Sequence, residues 1–202
     1  MARLPKIRGL TLATRVTLLR ILGIPAFAVL VIYHLVALEQ GAEDSPYRWW
    51  ALVVFAIVAG TDALDGYLAR SRNEVSPLGR LLDPLADKAL LLSALVLLTR
   101  PDLEPLTPHI PVWYTGLVIS RDVLAVGGYF LVRHLAGAVH VQPRWTGKVA
   151  TVLQMVIVLW VLSQAPADYF SIGVAAAAFF TTLAGVQYLI DGLRQIETAH
   201  RG

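Results

Sequence analysis

Residues 62 to 87 read DALDGYLARSRNEVSPLGRLLDPLAD, and they set four aspartates between two long apolar runs. A charged side chain at bilayer depth costs at least about 2.5–3.5 kcal/mol, so each of these carboxylates requires a compensating partner. Asp62, Asp65, Gly66 and Ala69 fall at i, i+3, i+4 and i+7, one face of a helix, while Gly79, Asp83 and Asp87 step by four along the next. Two helices crossing there would bring the four carboxylates together. Like charges at about 3 to 4 Å do not all stay ionised unless a cation sits between them. Oxygen donors without His or Cys select Mg²⁺, Mn²⁺ or Ca²⁺ over zinc. Gly66, Ala69 and Gly79 add little bulk to these faces and leave room for backbone or ligand to approach. Arg70 and Arg80 add fixed positive charge with bidentate reach to phosphate. Carboxylates, a divalent metal and arginines together point to a phosphate substrate. A loop of capping and surface aspartates is the plainer alternative, but part of the pattern lies inside apolar sequence.

The 202 residues around this stretch are 56% hydrophobic and only 15% charged, with a mean hydropathy of +0.63. That is too apolar for an ordinary soluble domain and predicts an all-α, polytopic membrane protein. Cysteine is absent, which excludes a disulfide framework, a thiol nucleophile and a zinc–thiolate centre. The net charge of +3 is small, and no basic tract interleaved with aromatics supports nucleic-acid binding. The basic N-terminus, with Arg3, Lys6, Arg8 and Arg15, precedes an apolar run too long for a signal-peptide core and is read as leading into a retained span.

Six membrane helices follow, each near the 20 residues a bilayer requires. Residues 1–15 read as a short interfacial segment on anionic headgroups. The spans run at about 16–38, 47–70, 78–99, 112–134, 145–163 and 169–190, the last followed by a polar tail, and together they form one domain over 1–202. Pro25 kinks the first span rather than ending it, and Trp49 and Trp50 stand where an aromatic belt belongs. The segment from Arg100 to Pro111, with four prolines and two acids, reads as an irregular loop. Lys and Arg concentrate on one side of this arrangement, so the positive-inside rule puts both termini in the cytoplasm. The aspartates then lie in the inner half of the membrane, within reach of a cytosolic reactant and of a lipid entering between helices.

The array Asp62, Asp65, Gly66, Ala69, Arg70, Gly79, Asp83 and Asp87 resembles the signature of the CDP-alcohol phosphotransferases, D-x2-D-G-x2-A-R-x8-G-x3-D-x3-D, and every fixed position matches. The resemblance covers about residues 12–160. It implies an enzyme that joins a CDP-linked lipid to an alcohol and releases CMP. Asp62, Asp65 and Asp83 would ligate Mg²⁺ or Mn²⁺, two ions in all. Asp87 would both touch metal and act as general base, a role that the resemblance assigns and spacing alone does not. Gly66 and Ala69 would admit the cytidine, Gly79 would line the CDP-lipid site, and Arg70 would hold a phosphate oxygen. A family segment similar to N-x-x-T-L-x-R opens the first span. Here Thr17, Leu18 and Arg20 match it, while threonine at position 14 replaces asparagine and puts a cytosine contact there in doubt. Thr17 serves equally as a helix N-cap, and Arg20 as a snorkelling arginine.

Arg121, in the middle of the fourth span, reads either as a structural pair with Asp122 or another buried acid, or as the anchor for a phosphate on the acceptor alcohol. Arg144 and Lys148, at the start of the fifth span, would complete that pocket, although Arg144 also suits a plain topology role. Asp191 reads as an interfacial polar residue rather than a ligand, and the five histidines show no ligand spacing. A basic cluster favours a phosphorylated acceptor. Residues 119–124, ISRDVL, and 146–155, TGKVATVLQM, resemble both the branch that makes phosphatidylglycerol phosphate from CDP-diacylglycerol and glycerol 3-phosphate and the CMP-forming cardiolipin synthases that use phosphatidylglycerol. The ISRDVL spelling leans to the second and the compact, bacterial-looking length to the first, which is the favoured reading. The resemblance also implies a homodimer in a bacterial cell membrane, and the small residues from Gly173 to Ala178 suit a close helix contact between or within protomers. A transporter would show inverted repeats and broken half-helices, which are not evident, and a scaffold has no use for four aspartates at this spacing.

Overall fold

Long runs of Leu, Val, Ala and Ile must satisfy their backbone polar groups within their own segment when no water is at hand, and the helix does this. The computed structural model describes the backbone at residues 12–42, 45–72, 77–99, 108–137 and 144–201, and side chains at 22–42, 45–61, 88–99, 108–135, 137 and 144–198. Its elements are all helical: α1 (Leu12–Glu39), α2 (Pro46–Arg72), α3 (Pro77–Leu98), α4 (Val112–Ala136), α5 (Trp145–Ser163) and α6 (Phe170–Arg201), with one 3₁₀ turn at Ala167–Tyr169 before α6. Among the described residues four stretches are long and apolar enough to cross a membrane: Leu22–Glu39, Val112–Leu135, Trp145–Ser163 and Ala167–Thr198. The chain is a membrane protein. The last part of α2, residues 62–72, and the first half of α3, residues 77–87, which belong to the second and third expected spans, lie outside the described side chains; in the described half of α3, Lys88–Leu98 is a shorter apolar stretch.

Two helices run past the expected spans. The polar tail after Ile190 is helical through Arg201, because Asp191–Arg201 contains no proline and is rich in good helix formers such as Leu193, Arg194, Gln195 and Glu197. At the other end α1 is already helical at Leu12, ahead of the expected start at Val16, while residues 1–11 of the interfacial segment lie outside the described residues. Pro25 sits inside α1 without ending it.

Local chemistry fixes where the helices stop and start. After α1, Gly41 takes φ +83°, a conformation open to a residue without Cβ, and the N–H of Ala42 donates back to Ala37 O at 2.9 Å, closing the last turn. Ser45 then caps α2. Its Oγ accepts the Tyr47 N–H at 3.3 Å, and Pro46 in the first helical position gives up no hydrogen bond that the helix needed.

Cα packing groups the chain into two compact units, Met1–Leu97 and Leu98–Gly202. In the first, Phe27, Val31, Leu35 and Leu38 form a buried stripe on α1 that meets Ala51, Phe55 and Val58 on α2. Phe27 stacks at 5.4 Å on Phe55, and Tyr33 at 5.4 Å on Tyr47. Higher numbers on α1 meet lower ones on α2, so the two helices are antiparallel. Their faces away from this seam are apolar and exposed, as at Val29, Ile32 and Ile57, the arrangement that lipid allows and water does not. The closest approach is at Gly23, where a Cβ would stand 2.5 Å from Val58 Cγ2. Val58 is 3% exposed and has no room to retreat. Gly23→Ala should therefore cost about 1–3 kcal/mol through overpacking, read as a lower thermal midpoint in detergent, and Val58→Ala in the same chain should restore part of it.

In the second unit α6 packs against both α4 and α5. Gly185 and Gly192 of α6 meet Arg121 and Val132 of α4 in rising order, so α4 and α6 are parallel. Thr146 and Gln154 of α5 bond Gln187 and Thr181 of α6 in falling order, so α5 is antiparallel to α6. The interior of this unit is polar at these points while Val123, Phe130, Ile172 and Phe179 are exposed. Buried polar groups meet each other because lipid offers them nothing. Gly173, in the stretch of small residues, lies over Trp160 of α5, 3.9 Å from where its Cβ would be, so part of that stretch packs within the protomer.

Candidate active site

The aspartate array falls on two consecutive helices. Asp62, Asp65, Gly66, Ala69 and Arg70 are helical residues of α2, and Gly79, Asp83 and Asp87 are helical residues of α3. Just ahead of the array the helix is regular and bonded, with Thr61 Oγ1 donating to Val58 O at 2.8 Å. The side chains of all eight, and those of Thr17 and Arg20 on α1, lie outside the described residues.

The basic residues assigned to the acceptor are described, and all three belong to the second unit. Arg121 on α4 has its side chain only 10% exposed. Its Nη1 donates to Asp122 Oδ1 at 2.8 Å, the pairing that sequence offered as its structural role. Neighbouring residues on a helix do not normally face each other, and the long arginine reaches back to make this bond. Its guanidinium carbon lies 5.3 Å over the Tyr188 ring of α6, a cation–π contact. Its buried Nε has no hydrogen-bond partner. Leaving a buried donor unmade costs about 1–3 kcal/mol, so such a group calls for a reason, and a ligand oxygen supplies one.

Two glycines make the seat. A Cβ on Gly147 of α5 would stand 2.9 Å from the Tyr188 hydroxyl and 3.2 Å from Arg121 Nη2, and one on Gly185 of α6 would stand 3.4 Å from Arg121 Cγ. Arg121 is thus enclosed by α5 and α6, tightly at Gly147 and in ordinary contact at Gly185. Gly147 immediately precedes Lys148, whose own side chain is exposed. The turn that carries Lys148 is therefore the turn that packs on Arg121.

Arg144 stands at the N-cap of α5. Its Nε and Nη2 donate to Asp191 Oδ2 and Oδ1 at 2.8 and 2.6 Å, and these bonds hold its pKa above the usual guanidinium value, with burial acting the other way. Asp191, read from sequence as a plain interfacial residue, is the clamp on a candidate site arginine. Beside it Thr146 Oγ1 donates to Gln187 Oε1 at 2.6 Å, which fixes the register of α5 on α6. Sequence reasoning missed Tyr188, Gly147 and Asp191 as parts of this cluster. Only the period-three placement of Gly185, Tyr188 and Asp191 on α6 could have signalled a shared stripe.

Comparison with known proteins agrees in kind. Residues 10–185 match the family model for CDP-alcohol phosphatidyltransferase. The chain is 34% identical to the CDP-diacylglycerol–glycerol-3-phosphate 3-phosphatidyltransferase of Bacillus subtilis, over 94% of this chain and 98% of that protein. It is 36% identical to the CMP-forming cardiolipin synthase of Streptomyces coelicolor, over 94% of this chain and 86% of that one. It is 33% identical to a probable phosphatidylglycerophosphate synthase of Mycobacterium tuberculosis, over 92% and 83%.

Proposed function

The chain belongs to the CDP-alcohol phosphatidyltransferase family, and within it we propose that this enzyme transfers the phosphatidyl group of CDP-diacylglycerol to glycerol 3-phosphate, giving phosphatidylglycerol phosphate and CMP. The observation that carries the reaction is the eight-position array from Asp62 to Asp87, complete in this sequence and carried by two consecutive helices. For the acceptor, support comes from Arg121, a nearly buried cation whose buried Nε is unmatched, and from Arg144 and Lys148 at the start of α5, where Gly147 packs on Arg121. The 34% identity to the Bacillus subtilis enzyme over nearly its whole length points the same way.

The residues divide the work. Asp62, Asp65, Asp83 and Asp87 offer an all-carboxylate donor set of the kind that suits Mg²⁺ or Mn²⁺, with two ions expected. Bound there, divalent cations would offset the negative charge that builds on the leaving CMP phosphate. Asp87 takes the proton of the acceptor hydroxyl as its oxygen attacks the phosphorus attached to diacylglycerol, and the bond from that phosphorus to the CMP oxygen breaks. Arg70 holds a donor phosphate oxygen, Gly66, Ala69 and Gly79 leave room for the nucleotide, and Thr17 and Arg20 extend the donor site. Arg121, Arg144 and Lys148 bind the phosphate of glycerol 3-phosphate and so align its hydroxyl. We place six spans in the membrane, the termini and the array at the cytoplasmic face, and the working protein as a homodimer.

A second acceptor has its own support in the 36% identity to a cardiolipin synthase. One assay separates the two. Detergent-purified protein receives CDP-diacylglycerol and Mg²⁺ with glycerol 3-phosphate in one tube and phosphatidylglycerol in another, and CMP is measured. Release with glycerol 3-phosphate alone is expected, and release only with phosphatidylglycerol would make it a cardiolipin synthase. EDTA should stop the reaction and added Mg²⁺ or Mn²⁺ restore it; turnover that survives chelation would contradict the carboxylate–metal assignment.

A further inference from the structure

An arginine can meet an oxyanion along two edges, and a carboxylate that takes one leaves the other open. Asp191 takes the side-on edge of Arg144, receiving Nε–H at one oxygen and Nη2–H at the other, 2.8 and 2.6 Å. The end-on edge, Nη1 with the second hydrogen of Nη2, is not used by this pair. A long side chain held at two points also loses most of its rotamers, so the direction of the open edge is set by α6 rather than by α5.

The pair is poorly placed to be a structural rivet. The Arg144 side chain is 40% exposed and that of Asp191 27%, and exposed ion pairs add little to stability. The register of α5 on α6 is already fixed beside it by the fully buried Thr146 and its bond to Gln187. What Asp191 adds is orientation. Gly185 and Tyr188, two and one helical steps earlier on the same stripe of α6, do the corresponding job for Arg121: one leaves it space and the other stacks on its guanidinium.

We propose that Asp191 is a positioning residue of the acceptor site, holding the Arg144 guanidinium side-on so that its end-on edge meets the acceptor phosphate. This rests on the reading of Arg144 as a ligand of that phosphate. Asp191 touches no reacting atom and acts through Arg144 alone, and α6 becomes the element that orients the acceptor-side arginines.

The test is steady-state kinetics on the full-length protein in detergent, varying glycerol 3-phosphate and CDP-diacylglycerol separately, for Asp191→Ala, Asp191→Glu, Arg144→Ala and the double variant Arg144→Ala/Asp191→Ala. Asp191→Ala should raise the acceptor KM about tenfold while the donor KM and kcat stay within about twofold, the pattern of lost ground-state binding. Asp191→Glu should recover most of the loss. The double variant should be no worse than Arg144→Ala, because a residue that acts only through its partner has nothing left to act on. The thermal midpoint should hold throughout. An unchanged acceptor KM in Asp191→Ala, with a raised one in Arg144→Ala, would overturn the positioning role and leave the acceptor reading intact. An unchanged acceptor KM in Arg144→Ala would remove Arg144 from the phosphate site, and the inference with it. A fall in thermal midpoint together with kcat would mark Asp191 as structural and overturn the proposal.

Discussion

Asp87→Asn should abolish CMP release while leaving CDP-diacylglycerol binding measurable. Asparagine fills nearly the same volume as aspartate, so the packing of α3 around position 87 is preserved. Its amide oxygen still accepts a hydrogen bond, yet it does not take up a proton at neutral pH. A positioned general base contributes about 10²–10⁴ in rate, and a residue that also contacts metal removes more than its share when neutralised. The expected readout is a fall in kcat of about a thousandfold or more with a far smaller change in the donor dissociation constant, the signature of an interaction made chiefly in the transition state. Turnover at the unmutated level would take Asp87 out of the base role and pass it to one of the other three aspartates. The comparison variant is Asp62→Asn. If the four carboxylates divide the work as proposed, it removes a metal ligand without removing the base, so part of its loss should be recovered by raising Mn²⁺, whereas that of Asp87→Asn should not.

What could be read in the sequence, and what could not, divides along physical lines. Helicity and membrane character were legible because apolar runs of about 20 residues admit few other structures, and α5 occupies the same residues as its apolar run, Trp145–Ser163. Helix ends were less legible. Hydropathy marks where lipid stops, not where hydrogen bonding stops, so α6 runs on through eleven polar-rich residues beyond Ile190. The family was legible from spacing within 26 residues, since local periodicity on a helix is enough to group Asp62 with Asp65 or Asp83 with Asp87. The partners of the basic residues were not. Arg144 and Asp191 are 47 positions apart, and their meeting depends on the register of α5 against α6, which Thr146 and Gln187 set. The need for glycine at 147 is equally a tertiary fact, because its cause is a tyrosine on α6 and an arginine on α4.

Arg121→Ala should raise the acceptor KM by about ten- to a hundredfold, since a charge-assisted hydrogen bond is worth about 1.5–3 kcal/mol, and should leave the donor KM nearly unchanged. The alanine also removes a contact from groups that Arg121 now touches. Asp122, with its side chain 26% exposed, loses the guanidinium at 2.8 Å, and the Tyr188 ring loses its cation. Some loss of thermal stability is therefore expected alongside the kinetic effect, and KM alone would not separate the two causes. Arg121→Lys separates them. Lysine keeps a positive charge near Asp122 but has no planar group to lie over Tyr188 and no second donor edge to offer a phosphate. If Arg121 is the acceptor's anchor, the lysine variant recovers thermal stability while its acceptor KM stays raised. If Arg121 serves only to neutralise Asp122, lysine restores both together. A raised donor KM with a normal acceptor KM would move Arg121 to the CDP-lipid side, and the unmatched Nε would then be a donor for the pyrophosphate rather than for the acceptor.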